Sequence, residues 1–230
     1  KNLIKLLETE LQRLSDPKKA VEMAAYMKTD MPFYGVQKPD RLPLLKVMKN
    51  SFRPASASEY RDTVLLLWQQ PHREEKYLAI NYAELFEEHV CLESMDLYEQ
   101  MIREGAWWDF VDAISINLVG HVYLKERKAL KSLMNKWNKD KDMWIRRSSL
   151  LVHIHHKKET DEEQLFEHCL RLAHEKEFFI RKAIGWALRE HSKTNPRAVK
   201  KFLKDKRDLL SNLSYREAAK HLIKVGLIKD

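Results

Sequence analysis

Trp107-Trp108-Asp109-Phe110-Val111-Asp112 is the stretch on which the reading of this chain turns. Counting 35 residues on from Asp112 reaches Arg147, and 35 more reach Lys182. Ile145-Arg146, Ile180-Arg181 and Tyr215-Arg216 keep the same interval. A fixed period of that length marks a helical repeat array, in which each helix pair stacks on its neighbours. It sets Asp112 and Arg147 at equivalent points of successive repeats. The phase is clear only in the C-terminal half; at Glu75-Lys76 the basic residue survives, at Phe110-Val111 it does not.

Working outward, the composition agrees with helices. Among 230 residues there are five glycines and seven prolines, too few to punctuate a β-rich chain. Apolar residues at Leu3, Leu6, Leu7, Leu11 and Leu14 make a helical stripe, and Pro17 suits the first turn of the next helix. Thr29–Asp40 is the least regular segment, broken by Pro32, Gly35 and Pro39, and a loop of that kind can present groups to a partner. Helices follow over about 41–49, 59–69, 74–86, 92–102, 107–122, 127–137, 143–154, 161–173, 177–190, 197–203 and 214–225. With no linker or shift in composition, the expectation is one domain over 1–230: an all-α, HEAT-like solenoid of about six stacked helix pairs with a basic concave face.

Lys plus Arg exceed Asp plus Glu by 42 to 34, a net charge of +8, which favours an anionic partner such as nucleic acid. Cys91 and Cys169 lack CxxC spacing and read as reduced, buried residues of a cytosolic protein. No apolar run approaches the roughly 20 residues that span a bilayer, so a soluble, cytoplasmic protein without membrane contact is expected. GxSxG, HExxH, P-loop and GxGxxG patterns are missing, and no metal or cofactor is expected.

The helix phases assign candidate residues. On 107–122, Trp107, Val111, Ile114 and Leu118 form a core stripe, while Trp108 and Asp112, four apart, project together beside it. On 177–190, Ile180, Ala183, Ile184, Ala187 and Leu188 define the core face. Phe178, Lys182 and Trp186 fall on the other side, where aromatic planes and a cation suit a nucleic-acid surface; Phe179 is a weaker candidate. Arg147, in line with Met143, Leu150 and Ile154, needs an anion beside it, and Asp112 one repeat earlier is the natural one. A structural ion pair bridging two repeats is the alternative. His155-His156-Lys157-Lys158 forms a basic cluster usable for phosphates, or a solvated helix end.

These blocks, with Tyr26-Met27-Lys28, Phe33-Tyr34-Gly35-Val36-Gln37 and Glu177–Glu190, resemble the AlkD family of bacterial DNA alkylation-repair glycosylases over nearly the whole chain. The resemblance implies a HEAT-like fold cradling duplex DNA. The activity it implies is hydrolysis of the N-glycosidic bond of N3- and N7-alkylated purines such as 7-methylguanine, with the lesion left in the duplex. It implies Asp112 as the catalytic aspartate, Trp108 and Trp186 as the tryptophans holding the deoxyribose, and Arg147 at the adjacent phosphate. Tyr26, Gln37, Phe178 and Phe179 match positions near the DNA. Where the family pattern suggests a lysine this chain has His155, with Lys157 or Lys158 placed to substitute. The expected partner is alkylated duplex DNA, bound by a monomer. A non-catalytic DNA-structure-binding paralogue and a protein-binding HEAT scaffold are the alternatives.

Overall fold

The computed structural model describes residues 2–229, and among them every regular element is a helix. The helices start where the sequence supplies acceptors for the free N–H groups of a first turn. Asn2 caps α1 (Leu3–Arg13), Asp16 caps α2 (Pro17–Met27) and Ser56 caps α4 (Ala57–Trp68). Asp142, Asp161, Asn195 and Ser211 do the same for α10 (Met143–Leu151), α11 (Glu162–Arg171), α13 (Pro196–Asp205) and α14 (Asn212–Lys224). The helix expected over 41–49 is longer: α3 runs Lys38–Ser51, with Pro39 in its opening turn rather than ending the loop, and Pro43 inside it.

The chain groups into two compact units, residues 1–97 and 98–230. In the first, α5 (Arg73–Leu85) packs on α3 and α4. The irregular segment before α3 is pinned by one carboxylate. Glu74, fully buried, accepts the backbone N–H groups of Tyr34, Gly35 and Val36 at 3.1, 2.8 and 3.0 Å. Gly35 has φ +85, and a Cβ there would lie 2.1 Å from the Asp16 carbonyl oxygen, so only glycine fits. Arg53–Glu88 and Arg61–Asp96, ion pairs at 2.6 and 2.8 Å, join residues 35 apart. The repeat interval thus extends into the N-terminal half, carried by surface pairs.

In the second unit, α12 (Phe178–Ser192) packs most extensively on α14 and next on α10. α7 (Trp108–Ala113), a π-helical stretch (Ile114–Val119) and α8 (Gly120–Lys125) form one continuous helix. Val111, Ile114 and Leu118 are fully buried, as their spacing predicts. Side-chain contacts recur at an interval of 33: Ser115 to Ser148, Gln164 to the Lys131 carbonyl, His168 to Asn135, Arg171 to Asn138, Asn195 to Glu162, Ser214 to the Arg181 carbonyl. Each ties one repeat to the next, which is how a stacked array without long-range pairing holds together. Gly185 permits the close approach of α12 and α14: a Cβ there would meet Glu217 Cβ at 2.4 Å and the Ser214 carbonyl at 2.8 Å.

Candidate active site

Asp112 sits at the end of α7, one turn beyond Trp108, and Arg147 reaches it from α10. Arg147 Nε donates to Asp112 Oδ1 at 2.8 Å and Nη2 to Oδ2 at 2.9 Å, the two-pronged geometry that fixes a carboxylate in plane. Arg147 Nη1 donates to the Phe179 carbonyl at the start of α12. Three helices are therefore tied at one guanidinium whose side chain is 5% exposed, against 15% for Asp112. Burial pushes the Asp112 carboxyl above its ordinary value, and the hydrogen bonds and charge of Arg147 pull the other way. Each carboxylate oxygen keeps a second lone pair, so pairing with Arg147 leaves room for another contact on the exposed side.

The aromatics divide differently from their sequence phases. Trp107 precedes α7 as its N-cap residue and is only partly buried. Instead of entering the main core it packs edge-on to Phe179 at 5.5 Å and against Trp144 at 5.9 Å, and Trp144 lies 4.9 Å from Phe179. The expected core stripe fails at its first residue because the helix has not yet begun there. This cluster walls the Arg147 guanidinium, which lies 5.7 Å from the Phe179 ring centre. Phe179 thus acts through packing and through its carbonyl. Phe178, beside it, is 57% exposed. Trp186, two turns further along α12, is half-buried with one side against the helical core; Trp108 is also half-buried.

Lys182 Nζ is 3.1 Å from Glu217 Oε1 on α14. Glu217 is 35 residues beyond Lys182, the fourth point of the series through Asp112 and Arg147. Sequence reasoning stopped one step short of it, although the interval itself was the signal. Its carboxylate also takes Arg189 Nη1 at 2.9 Å and Lys220 Nζ at 2.5 Å. Burial would raise its titration point, but the bonds from Lys220 and Lys182 outweigh that and hold it at about 2. Lys182 and Arg189 flank Trp186 by one turn on either side along α12; the helix phase singles out Lys182 from the sequence, but not Arg189.

The basic cluster after α10 splits. His155, Lys157 and Lys158 are exposed, and Lys157 adopts a left-handed backbone with φ 52. His156 is buried, with Nε2 2.8 Å from the Gly120 carbonyl oxygen, and burial lowers its titration point to about 4. It belongs to the interior and not to a phosphate surface. In the first unit, Tyr26, 72% exposed, and Gln37 line one cleft of about 260 Å³ with Lys19, Met27 and Phe33. Among the described residues no group of His, Cys, Asp or Glu is arranged to hold a metal ion, and no helix is long and apolar enough to cross a membrane.

Residues 7–222 match the profile of a family described as DNA alkylation repair enzyme. A solved structure described as a predicted DNA alkylation repair enzyme from Enterococcus faecalis is 31% identical, with a TM-score of 0.81 over 91% of this chain and 97% of that one. No curated protein matches this chain.

Proposed function

This chain belongs to the DNA alkylation repair enzymes, and from that premise we propose that it is a DNA glycosylase acting on cationic N3- and N7-alkylated purines in duplex DNA. The observation that carries the reading is a carboxylate, Asp112, held in plane by a buried arginine, still 15% exposed and one helical turn beyond Trp108. An N7- or N3-alkylated purine already carries positive charge, so its departure needs no general acid. Breaking the bond between C1′ and the base leaves positive charge on the sugar. A fixed carboxylate stabilises that oxocarbenium-like state and can position the attacking water. The ring faces of Trp108 and Trp186 add attraction for the same cationic sugar. Arg147 serves by orienting and desolvating Asp112, since most of its donors are turned inward. The exposed ring of Phe178 and the part-exposed ammonium of Lys182 on α12 suit a lesion that stays in the duplex.

The occupation of both Asp112 oxygens by Arg147 also suits a second reading, an inter-repeat strut in a non-catalytic DNA-binding protein. One experiment separates them. Wild-type protein incubated with methylated duplex is expected to release 7-methylguanine, and Asp112→Asn to release it slower by about 100-fold or more while still binding the duplex. Equal release by the two proteins removes Asp112 from the chemistry; binding without release by the wild type favours the strut.

A further inference from the structure

On the far side of α14 from α12 lies a cleft of about 620 Å³ that the site above does not use. Its floor is apolar, with the half-buried Tyr215 and Ile223, both packed against the helical core. Its rim is formed by Arg207, Arg216, Lys220 and Lys229, and among the described residues no carboxylate lines it. Arg207 is fixed there: its guanidinium lies 4.4 Å from the Tyr215 ring centre and Nη2 donates to Asn212 Oδ1 at 2.7 Å.

The repeat shows what is unusual about this rim. Arg181 and Arg146 stand 35 and 70 residues before Arg216, at the same phase of the repeat, and both are spent on contacts within the protein. Arg146 makes a two-pronged pair with Glu175 at 2.7 and 3.0 Å, and Arg181 Nε donates to the Glu175 carbonyl at 2.9 Å. Arg216 and Lys229 form no ion pair among the described residues. The cleft also adjoins the Trp186 helix through one carboxylate, since Lys220 on the rim shares Glu217 with Lys182 and Arg189.

We propose that this cleft binds the sugar–phosphate backbone of duplex DNA, as a contact separate from the lesion site. An apolar floor accepts deoxyribose, and a rim of cations accepts the phosphates on either side of it. A second copy of the chain is a poor occupant, because face-to-face pairing would bring two sets of four cations together. The proposal rests on the DNA reading above but not on its chemistry.

The test is the salt dependence of binding to an unmodified duplex, measured by fluorescence anisotropy for the wild type and for Arg216→Gln/Lys229→Gln. Loss of two phosphate contacts is expected to flatten the slope of log K against log salt by about 2 and to weaken binding about tenfold at low salt. Arg216→Glu alone is expected to weaken it further than Arg216→Gln alone. Release of 7-methylguanine at saturating protein should not change. A slope equal to that of the wild type overturns the cleft proposal while leaving the glycosylase reading intact. With poly-glutamate titrated in parallel as an acidic-peptide probe, weaker binding of it by the double variant together with an unchanged duplex slope overturns the proposal in favour of an acidic protein partner. A flattened slope in a protein that releases no base keeps the cleft and sinks the glycosylase. Absence of duplex binding by the wild type at low salt overturns both.

Discussion

Asp112 and Glu217 occupy the same point of the repeat, three intervals apart, and each faces its phase-mate in a neighbouring repeat. Their side chains are similarly enclosed, 15% and 11% exposed. They titrate in opposite directions: Asp112 is raised and Glu217 is lowered to about 2. The difference lies in what the helices bring to each. Asp112 has one rigid guanidinium set in a wall of Trp107, Trp144 and Phe179, so burial dominates. Glu217 has three cations, two of them on flexible lysine stems near solvent, and the hydrogen bonds and charge of those two lysines outweigh burial. The repeat supplies the position; the number and kind of donors decide whether the carboxylate is an anchor or a reactive group.

The comparison breaks most severely at Arg147. Arg147→Ala leaves Asp112 enclosed without a counter-charge, and the expected loss is about 3–5 kcal/mol in urea unfolding. A loss below 1 kcal/mol would place the pair with ordinary surface ion pairs. Arg147→Lys keeps the charge but not the two-pronged geometry. Less compensation means a still higher Asp112 titration point. Because the anion is the working form, base release should fail at a higher pH than in the wild type as the solution is acidified. An acid limb that does not move would show that Arg147 does not set the state of Asp112. Gly185→Ala acts on the other carboxylate. The added methyl meets Glu217 Cβ and the Ser214 carbonyl, both backbone-anchored, so α14 must shift from α12. The expected loss is about 1–3 kcal/mol by thermal unfolding, and an unchanged melting temperature would mean that the two helices are not tightly apposed.

Much of this was legible in the sequence because period and phase are properties of residue spacing. The core face of α12 was read correctly at Ile180, Ala183, Ile184, Ala187 and Leu188, all of them buried, and the Asp112–Arg147 partnership followed from the interval alone. What escaped notice depends on helix ends and on contacts between repeats. Trp107 was placed in the core by extending a helical stripe one residue beyond where the helix starts. His156 was grouped with Lys157 and Lys158 because adjacency along the chain says nothing of a carbonyl, Gly120, that lies 36 residues away. The N-terminal phase is harder to see because no run of like residues, such as Ile145-Arg146, Ile180-Arg181 and Tyr215-Arg216, marks the interval there, so pairs such as Arg61–Asp96 carry it unannounced.

The smaller effects sharpen the contrast. Glu217 titrates below its unfolded value of 4.5, so its stabilisation is complete above that pH and is lost as pH falls toward about 2. The stability difference between the wild type and Glu217→Gln should be about 1–2 kcal/mol near neutrality, after allowance for the solvent exposure of its lysine partners, and should shrink through that window. A difference independent of pH would mean that shape rather than charge holds the cluster. Phe178 meets Phe179 edge-on at 5.4 Å from the outer side of the aromatic wall and is itself more than half exposed. Phe178→Ala should therefore change unfolding stability by no more than about 0.5 kcal/mol. If the exposed ring packs on DNA, duplex affinity should still drop by about 1 kcal/mol or more. A protein that keeps both its stability and its affinity after that change has its nucleic-acid contacts elsewhere, on the cations rather than on the aromatic edge of α12.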